Sequence, residues 1–296
     1  MKEKPFSKYQ ILANAVMIIW TLAIILPFIL LFMSSITDEN TLVANGYSFF
    51  PKKFSLASYS YIIKSGGQIL KAYGVSIGVT VVGTLLNVLL SALMAYPLSV
   101  KNLPGRNVMM FFVFFTMLFN GGIVPSYIMW TGTFHIKDTI FAQLLPNFLL
   151  SAWNVMMIRT YFTTSIPDGL YEAAEIDGAS QFTIFWKIVL PLGKPILVTM
   201  GPFAGLAYWN DWTNGLYYIV KNTGLYNVQN LLNQMVQNIQ FLTQSSNSNV
   251  TAAASTIPAT GIQMAIAFVA ILPIMLIFPS FQKYYAKGIA LGAVKG

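Results

Sequence analysis

The chain has 296 residues, of which 56% are hydrophobic and only 9% charged, with a mean hydropathy of +0.64 and a formal net charge of +8. Such a composition excludes an ordinary soluble domain and calls for lipid around much of the chain. The absence of cysteine excludes disulfides, thiolate metal sites and a cysteine nucleophile.

In chain order, the Lys-rich start is followed by an apolar run over 11–36 with no convincing small-residue cleavage site, so it is read as a first membrane span and not as a removed signal peptide. Further apolar runs predict spans over 72–99, 107–130, 139–161, 195–218 and 258–282. Most reach the length of about 20 residues that a helix needs to cross a bilayer. The runs are continuously apolar and do not alternate with period two, which selects helices over a barrel. The fold class expected is therefore all-α: a polytopic membrane protein with six transmembrane helices in one domain over 1–296.

Basic residues set the expected orientation, because Lys and Arg near span ends stay on the cytoplasmic side. With both termini inside, Lys2, Lys4, Lys8, Lys101, Arg106, Arg159, Lys187, Lys194, Lys283, Lys287 and Lys295 are cytoplasmic. Lys52, Lys53, Lys64, Lys71, Lys137 and Lys221 are left outside. The net positive charge is then a topology signal and gives no reason to invoke nucleic acid.

Between the spans, Asn45-Gly46 and Pro51 mark turns in an outer loop over 37–71, with a short helix near 56–64. Pro104-Gly105-Arg106 makes a tight basic turn inside, and Thr131 to Asp138 a short outer hairpin. His135 in that hairpin is read as an ordinary loop histidine, and no metal site is expected. Beyond span five, Val228, Leu231, Leu232, Met235, Val236, Ile239 and Leu242 form one helical stripe opposite a charge-free amide face. Gln244 to Asn249 is expected to be a mobile tip, and Asn249-Val250-Thr251 matches a glycosylation pattern with a high chance rate.

The loop from Thr163 to Pro195 is the most structured polar segment. Ser165-Ile166-Pro167-Asp168 predicts a helix start, and Gly178 a left-handed helix end. Ser180 should cap a second helix carrying Phe182, Phe185, Trp186 and Val189 on one face, with Pro191 stopping it. Asp168, Glu172, Glu175 and Asp177 are four of the nine acids in the chain. Acids and small residues concentrated on a short hairpin are what a docking surface for a soluble partner requires.

At this loop a resemblance is specific. Glu172-Ala173-Ala174, three residues, Gly178, nine residues, Ile188, one residue and Leu190-Pro191 matches the signature loop of ABC importer permeases. The surroundings 166–179, Trp209-Asn210-Asp211 and the tail from Gln282 to Gly296 are similar to the carbohydrate-uptake subfamily that includes the maltose importer's permeases. Asn120 to Pro125 and Gly46-Tyr47 resemble its oligosaccharide and polysaccharide branch. The resemblance implies an ABC type I importer permease fold in the cytoplasmic membrane. It implies four kinds of partner: a second homologous permease, two ATPase subunits holding ATP and Mg, an extracellular sugar-binding protein, and a carbohydrate substrate. Glu172 would be the charged anchor in an ATPase cleft, Ala173 and Ala174 the close-packing face, and Gly178 the turn, with Asp177, Ile188, Leu190 and Pro191 completing the motif. No cofactor is expected in this chain, since it carries no G-x-x-x-x-G-K-[ST] phosphate loop.

Within the spans, Asp211 is the lone acid, which speaks against a proton-coupled secondary transporter. A membrane enzyme would need a cluster of catalytic acids, and none is expected outside the 168–177 loop. A sugar route needs rings for apolar sugar faces and amides for hydroxyls. The candidates are Asn120, Tyr127, Asn154, Tyr208, Trp209, Asn210, Asp211 and Trp212, with interfacial belts and helix-joining amides as the plainer alternatives.

Overall fold

Every named element of the computed structural model, which describes residues 8–64, 66–244 and 259–293, is helical; an isolated bridge between Thr37 and Phe54 is the one extended pairing among those residues. The polar run from 245, the Asn249 pattern and the last three residues of the tail lie outside the described residues. Three helices are long and apolar enough to cross a bilayer: α1 (Lys8–Ser35), α4 (Gly66–Ser99) and α14 (Ala259–Ala293). They fall on the runs expected at 11–36, 72–99 and 258–282. As far as Ile29, side chains all round α1 are exposed, Trp20 at 64% and Ile24 at 60%, as suits a helix apolar on every face.

The other expected spans are broken. Over 107–130 the chain forms α5 (Arg106–Leu118) and α6 (Ile123–Thr133), bent by 110°. Gly122 at φ +89° makes the corner, and the Asn120 side-chain oxygen accepts the Gly122 N–H at 2.8 Å. Over 139–161 no continuous helix forms. One turn, α7 (Phe141–Leu144), ends before Pro146 and Asn147, whose φ is +67°, and α8 (Ala152–Ser165) begins where Ser151 caps the Asn154 N–H. The helix over 195–218 stops at Trp209 as α11 (Lys194–Trp209) and resumes as α12 (Thr213–Tyr218). Counting bent helix pairs as single spans gives up to five, not six.

The chain divides into two compact units. The first, Met1–Ile69 with Leu232–Met275, includes α2 (Glu39–Asn45) and α3 (Ala57–Lys64). There the Glu39 carboxylate accepts the Thr260 and Gly261 N–H groups, both at 2.9 Å, placing an anion at the N-terminus of α14. Ile62 packs with Ile262, Ala265 and Ile266, and Leu232 and Met235 from the expected apolar stripe join them.

The second unit, Leu70–Leu231 with Leu276–Gly296, is built on α4, α5, α8 and α11. Its core gathers Ala92, Ala95, Val155, Ile158, Phe162, Ile184 and Phe185. Asn154, a candidate for the sugar route, is 4% exposed and donates to Asn87 Oδ1 at 2.7 Å, while Asn87 donates to the Phe148 carbonyl at 2.6 Å. It is a helix-joining amide. Asn154→Leu should leave the Asn87 carbonyl oxygen unpaired in a low-dielectric interior, lowering stability by about 1–3 kcal/mol in a reversible detergent-unfolding titration. An unchanged midpoint would remove the pair from the packing account.

Candidate coupling site and outer face

The loop after α8 folds as a helical hairpin. Pro167 in extended geometry precedes α9 (Asp168–Ile176), and Asp168 supplies a carboxylate to its first turn. Gly178 at φ +76° ends it. The Ala179 N–H reaches the Ala174 carbonyl at 2.9 Å and the Gly178 N–H reaches Glu175 at 3.0 Å, the paired bonds of a Schellman turn. Ser180 then accepts the Thr183 N–H at 3.2 Å and starts α10 (Gln181–Leu192). Contrary to expectation Pro191 does not stop α10. The helix widens into a π turn over Phe185–Val189 directly before it, which accommodates a residue without an N–H, and ends at Leu192.

The hairpin is tied down on its inner side. Tyr96 near the end of α4 donates to Gln181 Oε1 at 2.5 Å, and Gln181 donates to Glu175 Oε1 at 2.8 Å. The Tyr96 ring stacks on Tyr171 with centroids 6.3 Å apart. Lys101 and Asp168 form an exposed ion pair at 2.5 Å. Ile184, Phe185 and Val189 are fully buried.

Ala174 is a correction. It is 8% exposed and belongs to the core cluster with Phe162 and Ile166, so its small size lets α9 approach this chain's own core. Ile188 and Leu190 also pack half-buried against that cluster, and their place in the motif is explained by the fold. Glu172, Ala173, Asp177, Gly178 and Pro191 are exposed. The residue missed from sequence is Ile176, 86% exposed on the outer side of the turn, with Phe182 at 67% and Trp186 at 40% nearby in the chain. Its apolar character beside four acids was the available signal.

A second unanticipated residue is Gly193, between α10 and α11, which meet at 79°. A Cβ there would lie 2.5 Å from the buried Phe162 ring and 2.9 Å from the Val189 carbonyl.

The sugar-route candidates divide. Tyr208 is 2% exposed, donates to the Leu144 carbonyl at 2.9 Å and lays its ring against Gly83. Trp209 is 7% exposed. Asp211 does not lie in a helix: its Oδ1 accepts the Thr213 and Asn214 N–H groups at 3.0 and 3.1 Å and forms the turn that starts α12. Helix α13 (Val228–Gln244) follows, and its amide face is spent internally at the start. Asn227 donates to Gln143 Oε1 at 2.9 Å and to the Asp211 carbonyl at 2.6 Å, and Asn230 donates to the Trp212 carbonyl. Asn210 and Trp212 remain exposed, Trp212 at 46%, and Tyr127 is half-buried. Tyr127 stacks on Tyr218 with centroids 5.7 Å apart and accepts from Lys137 at 3.0 Å.

Asp138, at φ +57°, accepts three successive N–H groups from Val220, Lys221 and Asn222 at 2.7, 2.7 and 3.2 Å. The Lys221 N–H foremost, with those of Asn222 and Val220, holds its carboxyl below the ordinary carboxylate range.

With this geometry in place, the comparisons with known proteins agree. Residues 72–291 match the family described as the binding-protein-dependent transport system inner membrane component, and the chain belongs to that family. It is 36% identical over 272 residues to Protein LplC of Bacillus subtilis (strain 168), covering 92% of this chain and 90% of that one. To the polygalacturonan/rhamnogalacturonan transport system permease protein YtcP of the same organism it is 36% identical over 288 residues, 97% and 98% of the two chains. A crystal structure of a bacterial ABC transporter that imports the acidic polysaccharide alginate aligns with a TM-score of 0.77 at 26% identity, over 96% of this chain and 100% of that one. The protein is thus an all-α membrane permease component.

Two outcomes test the site. Gly193→Ala must displace Phe162, and overpacking of that order costs about 1–3 kcal/mol; a wild-type unfolding midpoint would show that the junction relaxes freely. The Asp138 clip contributes stability in full above the ordinary carboxylate pKa of about 3.9 and loses it as pH falls through the lowered native value. The protection of the 220–222 amides, taken relative to their intrinsic exchange rates at each pH, should therefore be high at neutral pH and fall in acid, and in Asp138→Asn it should already be low at neutral pH. Equal protection in the variant at neutral pH would refute the clip.

Proposed function

We propose that the chain is a permease subunit of an ATP-binding-cassette importer that carries an oligosaccharide into the cell. The observation that carries the reading is the hairpin 168–192, rigid on its inner side and presenting Glu172, Ala173, Ile176 and Asp177 on the outside. A solvated acid beside a large exposed apolar residue suits insertion into a cleft of a soluble subunit. The acid steers and sets register, and burial of Ile176 supplies affinity.

In this reading two ATPase subunits bind and hydrolyse ATP with Mg, a second homologous permease completes the route, and an extracellular binding protein delivers the sugar. Both termini are cytoplasmic, which puts the hairpin on the ATPase side and the Asp138 clip outside. The substrate class is supported by the relatives above, which transport polygalacturonan and rhamnogalacturonan or are involved in the import of alginate. Among the route candidates, Trp212, Asn210 and Tyr127 keep a face free for a sugar ring or hydroxyl.

The mechanism follows from connectivity. α9 continues from α8 through Ile166 and Pro167, and α10 joins α11 through Gly193, so a pull on the hairpin acts on two membrane helices at once. The hairpin core is dense, so the displacement moves helices and does not deform the loop.

The test is uptake by the assembled transporter in vesicles. Uptake should require ATP and survive collapse of the proton gradient. Glu172→Ala and Ile176→Asp should each lower uptake and sugar-stimulated ATPase activity by about tenfold or more, as loss of an interface anchor of about 2 kcal/mol implies. Undiminished uptake in both variants would dismiss the hairpin as the docking element.

A further inference from the structure

Between α4, α5 and α8 an apolar groove of about 400 Å³ opens on the surface, lined by Met94, Met109, Phe112, Val113, Ala152 and Val155. Phe112 at its rim is 61% exposed and Val155 at its floor 1%. One end of this groove is basic. On α5, Arg106 stands three residues before Met109 and seven before Val113, on one helical stripe. On α8, Arg159 stands four residues after Val155 and seven after Ala152, again on one stripe. Both stripes therefore run from the apolar lining to an arginine at the same end. The two guanidiniums are near enough to act on one another electrostatically.

Neither arginine has a carboxylate partner among the described residues. Arg159 donates through Nε to the Leu98 carbonyl at 3.2 Å, and Arg106 Nε is buried with no hydrogen-bond partner. α5 begins after Gly105 with no side chain capping its N-terminus. Two like charges, a buried unpaired donor and an uncapped helix start all favour an anion at one point. A free anion would leave the apolar groove beside it unexplained.

We propose that this groove binds an anionic phospholipid, with an acyl chain along Met109, Phe112 and Val155 and the phosphate held by Arg106 and Arg159. An apolar channel ending in guanidiniums at the edge of the membrane reproduces the layout of the lipid itself. A zwitterionic lipid offers the same phosphate but brings its own cation to a site already positive, so an anionic headgroup is preferred. The orientation proposed above places the site in the cytoplasmic leaflet, next to the α8 end that leads into the coupling hairpin, and the inference rests on that reading for the leaflet alone.

The experiment uses the assembled transporter carrying Phe112→Trp in nanodiscs with acyl-brominated phosphatidylglycerol or acyl-brominated phosphatidylcholine. Brominated phosphatidylglycerol should quench the introduced indole at low mole fraction. Adding R106Q and R159Q should weaken its apparent affinity by about thirtyfold, the factor expected of two basic residues at an anionic surface, and leave the phosphatidylcholine response unchanged. Competition by inorganic phosphate would overturn the proposal in favour of a free-anion site. Equal quenching by both lipids, or the absence of quenching because a neighbouring subunit covers the groove, would overturn it also. The readout involves neither ATP nor sugar, so failure here and failure of the transport reading are distinguishable. Assembly of the arginine variants is checked by size-exclusion chromatography, and retained quenching in assembled R106Q/R159Q complexes would equally count against the site.

Discussion

The packing of Ala174, Ile184 and Phe185 into the cluster that holds Ile158 and Phe162 is the interaction on which the rest of the second unit turns. It joins a hairpin outside the apolar region to helices inside it, so that α8, α9 and α10 share one core. Dense interiors transmit displacement because they resist deformation. The Schellman turn at Gly178 and the bond chain Tyr96–Gln181–Glu175 then remove the remaining freedom of the hairpin relative to α4. A loop held only by its two ends would absorb a pull; in the proposed reading this one passes it on.

The same unit supports its broken backbone with side chains from distant parts of the chain. Where water is absent, an irregular backbone survives only if its N–H and C=O groups find internal partners. The broken segment around Pro146 shows how. Asn214 donates to the Pro146 carbonyl at 3.1 Å, Asn87 takes the Phe148 carbonyl, and Tyr208 takes that of Leu144. Asn227, Gln143 and Asp211 close a further network over the start of α13. Several residues that look like sugar ligands in the sequence are thereby spent on holding the helix breaks together. Those left exposed, Trp212 and Asn210, stand on the turn this network fixes.

What the sequence made legible divides along the same line. Long apolar runs located α1, α4 and α14 because hydropathy integrates over many residues and needs no tertiary information. The Pro167 start, the Gly178 end and the Ser180 cap were readable because each is set by local backbone chemistry. The interruption of 139–161 was missed because its composition stays apolar. The cause is Pro146 with Asn147 in a left-handed conformation, and its stability depends on Asn87 and Asn214, far away in the chain. The burial of Ala174 was not legible for a related reason: the resemblance places it in a motif, and a motif does not report which side of α9 meets the chain's own core. Ile176 and Gly193 depend on exposure and on a close approach to Phe162, neither of which spacing can report.

In the proposed reading, work enters the chain from outside its apolar helices. Asp211 is committed to the turn before α12, and Arg106 and Arg159 stand at the end of a groove. A conformational change of the membrane helices must be driven through a contact that differs in free energy between two states. In the second unit the exposed surface best suited to such a contact is the hairpin, with its acids and Ile176 outside and its aromatic core inside. Its two connections, Pro167 toward α8 and Gly193 toward α11, are short and sterically constrained, so in the proposed reading force applied at the tip would reach both helices with little loss in the joints.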